Sequence, residues 1–282
     1  MNPVSYIKSL IPIKLKDFIK RKLHLKYLIF DCKEFFKRKN QYCPVCKNKV
    51  SHFNRLSDLF FDVYDVYEFV HSIFCYETFN FLHYSCPYCN NSDRNRLYAI
   101  YLQDYFAKLD PNKKYNFLDF APNSHLERII KTYSFIEYRS ADLYMEDVDD
   151  KIDITDMKIY DDKSFDFILC SHVLEHVEHD KKAMAEICRV LKDNGVAIIM
   201  VPIMLTLQED LENNNWTSKF ERGKYYGQND HVRMYSKNGF VQKLMETGFK
   251  VNQLDVNYFG NTTFEKYGIH NRSVLYTVEK LI

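Results

Sequence analysis

The first glycine of this 282-residue chain is Gly195. Glycine lets a strand-to-helix turn pass close to a bound phosphate, because it enters positive φ without a Cβ clash. The first two-thirds of the chain therefore cannot contain the GxGxxG loop of a nicotinamide or flavin site. A nucleotide-like ligand bound there must be met by other residue types, and the turns that meet it are made without glycine.

Within that limit, the pattern is that of a parallel α/β sheet. A helical stretch over 95–109 ends at the turn Asp110-Pro111-Asn112, after which strands and helices alternate. Strands are expected at 115–120, 136–141, 165–170 and 196–201, with helices near 124–132 and 181–191. A helix over 237–246 is stopped by Gly248, and strands at 249–256 and 273–278 follow, joined by a loop that permits antiparallel pairing. The fold class is a doubly wound, Rossmann-like α/β sheet.

The length allows one full α/β domain and a smaller appendage, and 46% hydrophobic with 16% aromatic residues suffices for one main core. Three units are expected: a basic segment at 1–40, a cysteine-bounded unit at 41–96 and the α/β domain at 97–282. The net charge of +1 hides an uneven distribution. Residues 1–40 carry eleven Lys/Arg against three Asp/Glu, which leaves the remainder acidic at −7. That distribution argues against a domain wrapped in nucleic acid. In the basic segment, Leu15, Phe18, Ile19, Leu23 and Tyr27 recur at helical spacing after Pro12. A basic amphipathic helix of this kind either packs on the body or attaches to an anionic membrane surface. No apolar run approaches the roughly 18 residues of a membrane span, so a cytoplasmic location is expected, with peripheral contact at the inner membrane face where the helix binds lipid.

Of eight cysteines, four fall in two pairs, Cys43-Pro44-Val45-Cys46 and Cys86-Pro87-Tyr88-Cys89. In a reducing compartment, paired cysteines at this spacing point to a tetrahedral Zn²⁺ held by four thiolates, closed to substrate and therefore structural. Cys32, Cys75, Cys170 and Cys188 stand alone and suit small buried positions.

After the first expected strand comes Asp119-Phe120-Ala121-Pro122-Asn123, with Ala121 where a glycine normally admits the ligand. Such a turn cradles a pyrophosphate poorly. It remains open to a cofactor without phosphates, which needs a carboxylate for an ammonium group and a helix N-terminus nearby. Asp142, 23 residues after Asp119, stands at the end of the second strand where an acidic side chain takes ribose hydroxyls, and Leu143 follows it. Asp153 and Ile154 stand where a third strand would end and could read an adenine and cover its face.

The stretch Ser164-Phe165-Asp166-Phe167-Ile168-Leu169-Cys170-Ser171-His172-Val173-Leu174-Glu175-His176-Val177, followed by 183–191, Asn194-Gly195 and a hydrophobic strand, resembles the fourth-strand signature of class I S-adenosylmethionine-dependent methyltransferases. The likeness extends to a bacterial family with zinc-knuckle N-termini. It is carried there by Cys86-Pro87-Tyr88-Cys89 with Ser92, Arg94 and Arg96, by Ala121-Pro122, and by Tyr226-Gly227-Gln228-Asn229-Asp230-His231-Val232-Arg233-Met234-Tyr235. This resemblance implies that Asp119 and Ala121, Pro122 and Asn123 hold the methionine end of S-adenosylmethionine, Asp142 the ribose, and Asp153 with Ile154 the adenine. It also implies that Cys170 and Ser171 line the sulfonium. Members often occur in surface-polysaccharide gene clusters, which implies a small or glycan-linked acceptor such as a sugar hydroxyl or sugar phosphate.

Methyl transfer to oxygen needs alignment and often one general base. His231 is the candidate, with Asp230 to hold the imidazole and Arg233 to grip an anionic group. The run Gly227-Gln228-Asn229-Asp230 reads as turn-forming, which favours a site over a packing role. His172 and His176 are rival bases. Two other readings stand beside this one: a zinc-ribbon rRNA base methyltransferase, to which Arg94 and Arg96 beside the knuckle point, and a non-catalytic zinc scaffold with a relic domain. The sequence leaves the oligomeric state open.

Overall fold

The structure is a computed structural model that describes residues 41–281. The amphipathic segment expected at 1–40 lies outside the described residues.

The first unit is a small hairpin of β1 (Gln41–Tyr42) and β2 (Lys49–Val50), with the first cysteine pair at its turn. An insert follows that carries α1 (Asp58–Val66), and the second cysteine pair then leads into α2 (Asp93–Phe106). Ser92 caps α2 by accepting from the Asn95 N–H, and Leu97, Tyr98, Tyr101, Leu102 and Phe106 form its buried stripe.

The large sheet contains β3 (Tyr115–Phe120), β4 (Ile136–Asp142), β5 (Asp150–Lys151), β6 (Phe165–Ser171), β7 (Leu191–Met200), β8 (Phe249–Leu254) and β9 (Leu275–Lys280), in the spatial order β5-β4-β3-β6-β7-β9-β8. The first five are parallel, and β9 pairs antiparallel with both β7 and β8. Residues 117–120, 167–170 and 196–200 are buried throughout, as strands covered on both faces must be. The helices α3 (Ser124–Ile130) and α4 (Asp180–Val190) serve the parallel half. The later part adds α5 (Lys219–Tyr226), α6 (Lys237–Glu246), α7 (Val256–Phe259) and α8 (Asn261–Tyr267). The order of strands reverses direction between β3 and β6, so a crevice opens at their carboxyl ends.

The strand expected from 196 begins earlier, at Leu191. Pairing jumps from Phe165–Leu191 to Phe167–Val196, so the Lys192-Asp193-Asn194-Gly195 stretch bulges out of the ladder. The last strand starts two residues later than expected, at Leu275.

The boundary expected at residue 96 falls inside α2, and Cys43, Val45, Val50, Phe53 and Cys86 share one hydrophobic core with the sheet residues. Arg96 joins the parts. Fully buried, it lies 3.7 Å above the centre of the Phe53 ring and donates to the carbonyls of Tyr267, Tyr84, Asn91, His83 and Gly268. Gly268 ends α8 at φ 62°, where a Cβ would come within 2.3 Å of Phe53. Only glycine satisfies both the left-handed backbone and the close ring. A second apolar cluster of Leu56, Phe69, Ile73, Phe81, Met204, Tyr226 and Met234 fastens the insert to the segment that follows β7. The insert thereby lies beside the carboxyl edge of the sheet.

Candidate active site

At the carboxyl end of β3, Ala121 adopts φ 50°, a left-handed conformation that costs an alanine about 1–2 kcal/mol. Its N–H donates to the Ala141 carbonyl at 3.1 Å, which holds the turn against β4. Past Pro122, Asn123 caps α3, its side-chain oxygen accepting from the His125 and Leu126 N–H groups. Asp119 is buried behind this turn and accepts from the Tyr138 hydroxyl at 2.8 Å. Burial raises its carboxyl to about 7, although the Tyr138 hydroxyl opposes the rise.

Asp142 ends β4, and one of its oxygens accepts from the Tyr144 and Met145 N–H groups at 2.6 and 2.8 Å, while the other has no hydrogen bond among the described residues. The next residues are apolar yet open, Leu143 at 47% and Tyr144 at 83% exposure. Asp153 is exposed beyond β5 and accepts from the Thr155 N–H at 2.8 Å.

Two expected contacts lie elsewhere. Ile154 is packed into the core rather than across an adenine face, and Cys170 is wholly buried within β6, with no surface for a sulfonium. Ser171, one residue later, does reach the edge, where its hydroxyl meets that of Tyr98 at 2.8 Å.

Tyr98 and Arg94 lie on the helix that meets this edge through the Tyr98 hydroxyl. They stand one turn apart on α2, and the Arg94 Nε is buried without a hydrogen-bond partner.

The run Gly227-Gln228-Asn229-Asp230 is a turn, as expected, with Gln228 and Asp230 exposed, but the residues that follow are core: His231, Arg233, Met234, Tyr235 and Ser236 are all buried. Arg233 does not face a substrate anion. It donates to the carbonyls of Leu174, Val177 and Glu178 and to Glu212, and lies 3.4 Å from Asp180, tying the loop to the start of α4. Asp230 lies 3.4 Å from His176 Nδ1, so it holds that imidazole rather than His231. The His231 ring is 1% exposed, with Nδ1 against the Tyr226 carbonyl at 3.2 Å and Nε2 without a partner.

Around these rings stand His172 and Glu175. His172 follows β6 with φ 58°, and its Nδ1 is 3.2 Å from Glu175 Oε1. Burial, joined by the nearby Arg94 charge, lowers His172 to about 4. Burial also disfavours ionised Glu175, but the facing His172, His231 and His176 overcome it and hold the carboxyl down at about 2.

In the first unit, the Cys43–Cys89 and Cys46–Cys86 sulfur pairs are each 3.7 Å apart, and all four sulfurs lie within 4.8 Å of one another. Zn–S bonds of about 2.3 Å give a tetrahedron with edges of about 3.8 Å, so the four cysteines fit a zinc ion.

The seven-stranded order and the crevice at its switch point define a Rossmann-like, class I methyltransferase fold. Residues 90–254, more than half the chain, match the model of the methyltransferase domain family, and the chain belongs to that family. Among solved structures it is similar to a SAM-dependent methyltransferase from Archaeoglobus fulgidus, at 16% identity over 67% of this chain and 93% of that one, TM-score 0.42. The YcgJ protein of Bacillus subtilis is similar at 12% identity over 64% and 96%, TM-score 0.41. No curated protein matches the chain.

Proposed function

We propose that the protein transfers the methyl group of S-adenosylmethionine to an oxygen of a small or glycan-linked acceptor, a sugar hydroxyl or sugar phosphate. The observation that carries the cofactor reading is the edge from Ala121 to Tyr144: a capped turn without glycine, a carboxylate oxygen at Asp142 without a hydrogen bond among the described residues, and an exposed apolar run directly after it. That edge suits a cofactor with an ammonium, a ribose and a flat base, and lacks a phosphate cradle. S-adenosylmethionine supplies an electrophilic methyl group on sulfur. Asp119 would answer the ammonium, Asp142 the ribose hydroxyls, and Leu143 with Asp153 the adenine side. The unpartnered Arg94 Nε would meet the methionine carboxylate.

The acceptor would enter between the insert and the histidine cluster, where His176 is about a third exposed. Its hydroxyl proton would leave at that cluster. Arg96, which as a sequence feature pointed to RNA, is enclosed by carbonyls and takes no part in nucleic-acid contact. The four cysteines would hold a structural zinc that closes the hairpin onto α2. Among the described residues no helix is long and apolar enough to cross a membrane. Attachment to an anionic bilayer through the basic segment 1–40, on the cytoplasmic side, is part of this reading, and co-sedimentation with anionic vesicles that weakens as salt rises tests it. Labelled S-adenosylmethionine offered with nucleotide sugars, glycan precursors and rRNA tests the acceptor class. Label in the sugar fractions supports the proposal, and label only in rRNA overturns it.

A further inference from the structure

Glu175 presents an unusual electrostatic problem. Its side chain is 0% exposed, and neither carboxylate oxygen has a hydrogen-bond partner. Its one ion-pair contact among the described residues is with His172; no lysine or arginine reaches it. The charge of this buried carboxylate is balanced only by the imidazoles that face it, and a bound cation would compensate it more fully.

The neighbouring rings are arranged as metal ligands are. One ligand atom each from Glu175, His176 and His231 lies within 4.8 Å of the others, and the two imidazoles meet edge to face with centroids 4.7 Å apart. The His231 Nδ1 lies against the Tyr226 carbonyl, which fixes the tautomer with a bare Nε2, and that Nε2 is buried and unpartnered. Asp230 stands 3.4 Å from His176 Nδ1, the outer carboxylate that commonly orients a ligating imidazole. His176 is about a third exposed, so the cluster is open on one side.

We propose that Glu175, His176 and His231 bind one divalent transition-metal ion of the zinc, cobalt or manganese class, separate from the four-cysteine site. Two imidazoles and one carboxylate leave coordination positions free, in contrast to a closed thiolate shell. On the open His176 side, those positions accept oxygen ligands. Glu175 lies four residues past the end of β6, on the segment that leaves the carboxyl edge of the sheet. The role in holding an acceptor rests on the methyl-transfer reading; occupancy by metal does not.

Full-length protein incubated with excess Co²⁺ or Zn²⁺, then desalted, should retain one metal equivalent beyond that held by the cysteines. With Co²⁺, the added equivalent should give the weak visible bands of a nitrogen and oxygen site, without the intense charge-transfer bands of thiolates. His176→Ala, a change at a partly exposed side chain, should lose that equivalent and keep both the cysteine-bound metal and the thermal transition. Glu175→Gln should lose it as well, and if that variant fails to fold, His176→Ala decides. No added equivalent in the wild type, or full retention in His176→Ala, overturns the proposal. Cofactor calorimetry on the same samples separates the two readings: metal without S-adenosylmethionine binding leaves this site and removes methyl transfer, and the converse removes only the metal.

Discussion

Ala121 and His172 stand one residue beyond the carboxyl ends of the adjoining strands β3 and β6, and both hold a left-handed backbone, at φ 50° and 58°. Two non-glycine residues in this conformation flank the switch point of the sheet. Strain of this kind persists where the surrounding structure over-determines it, and it clusters at ligand sites.

The Ala121 turn gives the first prediction. Ala121→Gly relieves strain but adds unfolded-state freedom, so stability should change by no more than about 1 kcal/mol. Ala121→Val places a β-branched residue at positive φ and should lower stability by about 1–3 kcal/mol. Denaturant melts of the two variants check this, and equal stability of the two would remove the strain.

Arg233 gives the second. Its guanidinium holds the loop to three carbonyls and two carboxylates, and Lys243 joins Asp180, Asp210 and Glu212 in the same network. Arg233→Ala should therefore lower unfolding stability by about 3–5 kcal/mol, the range for breaking a buried ion pair. An anion-gripping residue would instead raise KM and leave the melt unchanged.

These cases show what the sequence could and could not convey. The parallel strands were legible because residues buried on both faces form unbroken apolar runs, as at Phe167-Ile168-Leu169-Cys170. The cysteine tetrahedron was legible because its ligands come in close pairs. His231 and Arg233 were misplaced because the turn Gly227-Gln228-Asn229-Asp230, with Gln228 and Asp230 exposed, leads directly into a buried stretch, and nothing local shows that Arg233 packs against the carbonyls that follow β6. Helix α5 was missed although Ser218 and Glu221 carry a full capping box and Gly227 follows in the left-handed C-terminal position. Glu175 and His176 lie inside the signature over 164–177, but nothing local reveals which side chains meet three-dimensionally.

The four-cysteine unit supplies the third prediction. Because its cysteines share the core of the sheet, Cys86→Ser should lower zinc content and the melting temperature of the whole domain together. Full zinc content in that variant would mean that other residues bind the ion.

Asp119 supplies the fourth. Its carboxyl is held near 7 in the free protein, so an arriving ammonium must displace a proton below that pH. Affinity for S-adenosylmethionine should rise from pH 6 to pH 8, and Asp119→Asn should bind weakly at both. The sign for stability is opposite. A carboxyl raised above its unfolded value favours the native state fully below that unfolded value and progressively less as pH climbs to 7. Asp119→Asn should therefore gain more over wild type at pH 8 than at pH 5, and a flat difference between the two pH values contradicts the assignment.

Calorimetry of S-adenosylmethionine binding to the full-length protein and to Asp142→Ala reaches the central claim most directly. One Asp142 oxygen holds the Tyr144 turn, and the other has no hydrogen bond among the described residues. Losing hydrogen bonds to a charged group costs about 1.5–3 kcal/mol, so the variant should bind more weakly by that amount while its melt stays cooperative. Absence of binding heat in the wild type, or equal affinity in the two proteins, would contradict the account.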